Sequence, residues 1–264
     1  MSARMHPVGP KVLSFSLQSG SNGNCIYVEA GGVRLLFDAG ISAALAELRL
    51  AARGRDLAGV DAIIISHEHD DHVRGAGVIH RKHGIPLYIS TRTQRRAAGL
   101  LGRVEPPIAF EPGGRIEIGP LVIHTLRTPH DAVEPVCFVL EHAGARLGIL
   151  TDLGHAFGIL ARVLTDLDAA YLESNYDPDM LETGPYAEAL KRRVRGPSGH
   201  LSNFEAADLA RAGARGRLRW LALAHLSEVN NEPELALDTH RRALGRRFPI
   251  RVASRHAVGD VLEL

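Results

Sequence analysis

The run His67-Glu68-His69-Asp70-Asp71-His72 constrains this chain more than any other feature. It has the pattern H-x-H-x-D-H and follows Ala62-Ile63-Ile64-Ile65 and Ser66. An apolar run of that length, rich in β-branched side chains, predicts a buried strand. Three imidazoles and a carboxylate are therefore expected in one turn at a strand end. Neutral imidazole and carboxylate are the usual ligands of zinc and similar divalent ions. A solvated, polar helix N-terminus is the competing reading, and it leaves the density of imidazoles unexplained.

The rest of the chain alternates strands with helices. Val12-Leu17 is a short apolar run, followed by the turn-rich Ser19-Gly20-Ser21-Asn22-Gly23-Asn24. Cys25-Glu29 and Val33-Phe37 flank Gly31-Gly32, a hairpin signal. Ser42 is expected to cap a helix reaching Arg53, with Leu45, Leu48 and Ala52 on its apolar face. One helix is expected over Asp71 to His83 and another from Thr91 to Leu100, with the strand Pro86-Ser90 between them. Strands follow at Arg115-Ile118, Leu121-Leu126, Val136-His142 and Arg146-Leu150. A helix over His155 to Leu164 precedes the strand Ala169-Leu172. Helices fit Tyr186-Arg195, Ser202-Ala212 and Glu232-Leu244, and strands fit Leu218-Ala222, Ile250-Ala253 and Val258-Leu262. The two halves are joined without a linker, so residues 1-264 are expected to form one α/β domain. Two mixed sheets face to face with helices outside would bury these elements.

Six consecutive residues cannot complete two metal sites. Further ligands must come from other strand ends, where loops carry chemistry. His130 follows the strand ending near Leu126, Asp152 follows Leu147-Leu150, and His225 follows Trp220-Leu223. Asp38, also at a strand end, is a candidate to hold a ligand from behind, as metal-bound imidazoles usually require. His6, His80, His83, His124, His142, His155, His240 and His256 lack such a setting and are expected to be surface or structural histidines.

Taken in order, Asp38, His67-x-His69-x-Asp71-His72, His130, Asp152 and His225 resemble the five motifs of the metallo-β-lactamase fold across essentially the whole chain. The resemblance implies a four-layer αββα sandwich, α/β (α+β) in class, with a di-metal hydrolase centre at one edge. It implies that His67, His69 and His130 hold one ion, that Asp71, His72 and His225 hold the other, and that Asp152 bridges them. The cofactors would be two divalent ions, zinc or manganese, with a hydroxide between them as nucleophile.

Ser19-Cys25, Ser66-His69, Leu172-Asp177, Leu190-Arg193, Ser198-Asn203 and Leu223-Ser227 are similar to the YycJ/WalJ-type group of that family. The group implies an exonuclease-like phosphodiesterase with nucleic acid as substrate, DNA in preference to RNA. Its relation to transfer-RNA 3′-processing enzymes marks Glu173 and His200 as a proton-transfer pair, catalytic together with Asp71. A histidine held by a carboxylate suits the protonation of a poor alkoxide leaving group.

Composition narrows the partners. The formal net charge of +1 gives no global pull towards nucleic acid. Three of the 31 basic residues are Lys and the rest are Arg, whose planar fork suits phosphate. Of three Arg-rich patches, Lys191-Arg192-Arg193 with Arg195 lies nearest His200, so Arg192 and Arg193 are the candidate phosphate contacts. Arg92 with Arg95 and Arg96, and Arg211 with Arg215, Arg217 and Arg219, are expected to be solvated faces. Cys25 and Cys137 sit in apolar contexts and are expected to be buried free thiols. Met1 to Lys11 has no apolar core of signal-peptide length and no stretch reaches membrane-spanning length, so the cytoplasm is the expected location.

The alternative reading is a glyoxalase II-type thioesterase or lactonase, which also uses H-x-H-x-D-H. That reading calls for a C-terminal substrate-binding extension, and 39 residues follow His225. A non-catalytic relative of the fold would be expected to have lost ligands, and none is missing here.

Overall fold

The computed structural model describes residues 12–264. The readings of Met1 to Lys11 and of His6 lie outside the described residues. Among those described, no helix is long and apolar enough to cross a membrane.

The chain opens on β1 (Leu13–Gln18), β2 (Cys25–Ala30) and β3 (Val33–Phe37), an antiparallel meander. Gly31 and Gly32 turn the hairpin with φ of 56° and 81°. Two successive positive φ values define the turn whose twist matches the flanking strands, and glycine adopts them without a Cβ clash. After α1 (Ala43–Ala51) come β4 (Ala62–Ile64), α2 (Asp70–Val73), α3 (Ala76–His83), β5 (Leu87–Ile89), α4 (Thr91–Leu101) and β6 (Ile108–Ala109). The second half holds β7 (Arg115–Ile118), β8 (Leu121–Arg127), β9 (Val136–His142), β10 (Ala145–Leu150), α5 (Leu160–Asp166) and β11 (Ala169–Glu173). It continues through α6 (Pro178–Thr183), α7 (Glu188–Val194), α8 (Asn203–Ala214), β12 (Trp220–Ala224), α9 (Pro233–Leu244), β13 (Ile250–Val252) and β14 (Leu262–Glu263).

Two seven-stranded sheets result, ordered β14-β1-β2-β3-β4-β5-β6 and β13-β12-β11-β10-β9-β8-β7. Side chains alternate across each strand. Ile64, Phe37, Phe138 and Tyr171 fill the space between the sheets, while Ile63 and Leu36 face α1 and α3 on one outside. Leu150, Leu172 and Leu223 face α5, α8 and α9 on the other. This is the four-layer αββα sandwich that the sequence implied.

Strand direction decides where the chemistry sits. β3, β4 and β5 run parallel, as do β10, β11, β12 and β13. β8 shares the direction of β10, because both are antiparallel to β9. The segments after β3, β4, β8, β10, β11 and β12 therefore leave their sheets on one side, as parallel strands must.

Some elements differ from their sequence patterns. The buried face of α1 is Ala43, Ala46, Arg49 and Leu50, whereas Leu48 is 67% exposed and Ala52 is also exposed. Arg49 counts as polar in a hydrophobicity pattern. Its guanidinium instead turns inward to the carbonyls of Leu17 and His256 and to Gln18 Oε1. The helix expected over 71–83 breaks at Gly75, whose N–H goes to Ala39 O and whose Cα lies against Ile41 O. A Cβ there would sit 1.8 Å from that oxygen. The helix expected from His155 starts at Leu160, after a left-handed Gly154. The expected strand at 258–262 reduces to β14, since Gly259 N–H bonds Ser16 O before pairing of that strand begins. The element α6 went unpredicted, although Asp177 caps it and Pro178 opens it.

His240 is fully buried on α9, with Nδ1 donating to Ala236 O. Burial pushes its pKa down to about 4. The unfolded ring takes up its proton near 6.5. Stability is therefore intact above about pH 6.5 and declines as pH falls towards 4. By pH 5 the loss is about 2 kcal/mol. His240→Phe should flatten this acid limb in urea melts at pH 7.5 and 5. A wild-type slope retained in the variant would exclude His240 as its source.

Candidate metal centre

At the shared strand edge the structure brings together His67, His69 and His130, and beside them Asp71, His72 and His225. Within each set the potential ligand atoms lie within 4.8 Å of one another. Asp152 stands between the sets. Its Oδ1 is 3.6 Å from both His130 Nε2 and His225 Nε2, and its Oδ2 is 3.2 Å from His72 Nε2.

Hydrogen bonds fix which ring nitrogen faces the cluster. Gly199 O can only accept, so at 3.0 Å the His130 proton is on Nδ1. His72 Nδ1 donates to Asp38 Oδ2 at 2.7 Å. Ser66 Oγ gives its only proton to Asp38 Oδ2, so it accepts from His67 Nδ1 at 2.9 Å. These rings are left with lone pairs on Nε2. His69 offers Nδ1 instead, 3.3 Å from His130 Nε2.

The set fits a pair of cations on two observations. His67 Nε2 and Asp152 Oδ2 are buried and lack any hydrogen-bond partner. Even the 3.2 Å approach of His72 to Asp152 does not meet hydrogen-bond geometry, so these atoms converge without satisfying each other. Unsatisfied buried polar atoms are costly and rare. The charges point the same way. Burial alone would lower the His72 pKa, yet Asp152, Asp38 and Asp71 together raise it well above the usual value. Burial would raise Asp71, but His72 and His225 hold it at about 2. His67 has no such excess of carboxylate, and burial with the neighbouring His72 pushes it well down. Carboxylates that favour positive charge beside His72, next to a His67 ring that burial keeps neutral, suit divalent ions.

Asp38, Asp152 and His225 have φ of 59°, 57° and 55°. Left-handed backbone at non-glycine residues costs on the order of 1–3 kcal/mol each and tends to mark functional positions. Glycine secures the other side of the centre. A Cβ on Gly40 would lie 1.7 Å from Asp71 O, so no other residue lets these loops approach as closely.

Glu173 and His200 also meet here. His200 Nδ1 lies 2.6 Å from Glu173 Oε1, and Glu173 Oε2 accepts from Leu153 N–H. Glu173 is fully buried. Burial would lower the His200 pKa, but Glu173 outweighs it and raises the value. Of the basic patches, only Arg193 lines the cleft of about 360 Å3 over the cluster. Arg192 is exposed outside it, and Lys191 is buried against Glu182 O. Arg195, Arg211 and Arg217 pair with Glu182, Asp208 and Asp168.

Several residues escaped the sequence reading. Asn24 Nδ2 reaches Asp71 Oδ2 at 3.2 Å, and Asn175 Nδ2 donates to His225 O at 2.7 Å. Both lie in the stretches that carried the family resemblance, which was the available signal. Glu68 and Asp70 occupy the x positions of the H-x-H-x-D-H pattern, as spacers outside the ligand set. Asp70 is exposed and pairs with Arg74. Glu68 is different: its Oε1 accepts from Val133 N–H at 2.9 Å and ties the motif to the His130 loop.

Residues 19–200 match the family model described as the metallo-beta-lactamase superfamily. The chain belongs to that superfamily. Within it the chain belongs to the WalJ/YycJ-type group. It is 36% identical over 224 residues to the exodeoxyribonuclease WalJ of Streptococcus pneumoniae, covering 83% of each chain. It is 33% identical to the exodeoxyribonuclease YycJ of Bacillus anthracis, over 85% of this chain and 86% of that one. The crystal structure of the metallo-beta-lactamase fold protein YhfI from Bacillus subtilis shares the fold, with a TM-score of 0.73 at 18% identity, over 96% and 99% of the chains.

Glu68→Ala should free the His130 loop and lower divalent-ion affinity by about tenfold. Glu68→Gln keeps an acceptor and should stay near wild type. Chelator competition measures both, and an unaltered affinity in the Ala variant would return Glu68 to a spacer.

Proposed function

We propose that this protein is a di-metal hydrolase that cleaves phosphodiester bonds, an exonuclease-like nuclease acting on DNA. The Glu173–His200 pair beside the ligand cluster carries this reading, because it supplies what a phosphodiester needs and an activated ester does not. The one-third identity to proteins named exodeoxyribonucleases supports it.

In this reading His67, His69 and His130 hold one ion, and Asp71, His72 and His225 hold the second. Asp152 reaches both, and Asp38 fixes the His72 ring from behind. Zinc and manganese both suit this imidazole–carboxylate set. When bound, the ions polarise phosphoryl oxygens and lower the pKa of water. Both sheets contribute ligands, so residues 1-264 act as one hydrolase domain.

The protein's own groups do the remainder. Asp71, ionised far below neutral pH, accepts a hydrogen bond from the attacking water and orients it. Water oxygen bonds to phosphorus as the P–O bond to the leaving oxygen breaks; one water proton stays on the product phosphate and the other passes to solvent, from which His200 is later reprotonated. His200, kept protonated by Glu173, gives the Nε2 proton to that oxygen, and the product alcohol departs neutral. Arg193 lines the cleft with its Nε on Asp131 Oδ2 at 2.6 Å. Its two Nη groups have no protein partner among the described residues and suit a phosphate fork.

Asp152→Ala should keep the fold and lose turnover, and metal analysis should find two ions per wild-type chain. Normal turnover in the variant would remove Asp152 from the centre. His200→Ala should slow DNA cleavage by about 10²–10⁴-fold. Hydrolysis of bis-p-nitrophenyl phosphate, whose leaving group needs no proton, should fall far less. Equal losses on both substrates would count against His200 as the acid. Cleavage of a thioester without any phosphodiester cleavage would reverse the assignment in favour of the thioesterase reading.

A further inference from the structure

One side of the cleft is built from residues that the metal centre does not use. Leu190, Arg193 and Val194 line it from one face of α7, and Tyr186 lines it from the segment leading into that helix. Tyr186 is the one Phe, Tyr or Trp side chain among the lining residues. Its hydroxyl has no hydrogen bond among the described residues, and Leu190 is 37% exposed. These residues give an otherwise polar cleft an aromatic–aliphatic side, the composition of small-ligand sites.

This wall is fixed relative to the cluster. His200 N–H bonds Val194 O at 2.9 Å. Gly199 packs so closely on α7 that a Cβ would lie 2.1 Å from Val194 O, and its own carbonyl accepts from His130. The same turn thus sets the helix face, the proton-transfer histidine and a ligand.

We propose that Tyr186, with Leu190 and Val194, is the stacking platform for the base of the nucleotide whose phosphate lies at the cluster. This rests on the nuclease reading. Arg193 sits on the same face, so a base on Tyr186 leaves its phosphates within the field of that guanidinium. The cleft of about 360 Å3 is of the size that takes a single small ligand. A base on this platform is unstacked and unpaired, as in enzymes that work on one extruded nucleotide. Stacking accepts every base, so the platform confers a requirement for a base without a preference among bases.

Binding of full-length, metal-loaded protein to cleavage-resistant phosphorothioate single strands tests this. One strand ends in a normal nucleotide, and two others carry an abasic nucleotide at the 5′ or the 3′ end. The wild type should bind the normal strand about tenfold more tightly than one of the abasic strands. Tyr186→Ala should abolish that difference, and Tyr186→Phe should retain it. Equal binding of all three strands by the wild type would overturn the platform, as would an unchanged preference in Tyr186→Ala. If DNA is cleaved normally in those cases, the nuclease reading survives and only the platform falls. If no strand is bound and none is cleaved, both fall together.

Discussion

The centre depends on one buried carboxylate. Asp38 accepts from Ser66 N–H, from Ser66 Oγ and from His72 Nδ1. Through those three bonds the end of β3 is joined to the end of β4, two parallel neighbours. The same bonds decide the tautomers of His67 and His72, because Ser66 passes the constraint along. Without this acceptor, buried donors would lose their partners and two imidazoles would be free to turn. Hydrogen bonds to a charged, desolvated acceptor are among the stronger ones a protein makes. Asp38 therefore acts less as a site residue than as the fastening that gives the other residues a defined direction.

Around that fastening, opposing electrostatic demands are kept apart by a few ångströms. Burial drives His67 to neutrality, while three carboxylates around His72 favour positive charge at the place a cation would take. His200 has an acid of its own, Glu173. A single scaffold thus maintains neutral, ligand-type imidazoles beside one imidazole able to carry a proton. The parallel arrangement of β10, β11 and β12 makes this possible, since it delivers Asp152, Glu173 and His225 to one edge from adjacent strands.

Much of this was legible in the sequence, for physical reasons. Ligands at strand ends were readable because short apolar runs end at, or one residue before, Asp38, His67, Asp152 and His225. The break at Gly75 was not readable, because it follows from a carbonyl of a distant loop rather than from local propensity. Arg49 misled the assignment of the α1 face, since a buried guanidinium satisfied by carbonyls looks like a surface residue in a hydrophobicity pattern. Glu68 was hidden for a similar reason: its partner is a backbone N–H, which leaves no trace in side-chain patterning. Tyr186 and Arg193 share a cleft only after α7 has packed against Gly199.

The pairing of β14 with β1 has a consequence for how the molecule is made. The outer edge of β1 is covered by residues from the far end of the described chain. Arg49 bonds His256 O, and Trp220 Nε1 donates to Glu263 O. During synthesis, the first sheet thus emerges long before the segments that close it. Contacts so remote in sequence are slow to form and leave an open strand edge in the meantime. The nascent chain must carry that exposed edge, with most of its imidazoles already translated, until the closing strand arrives.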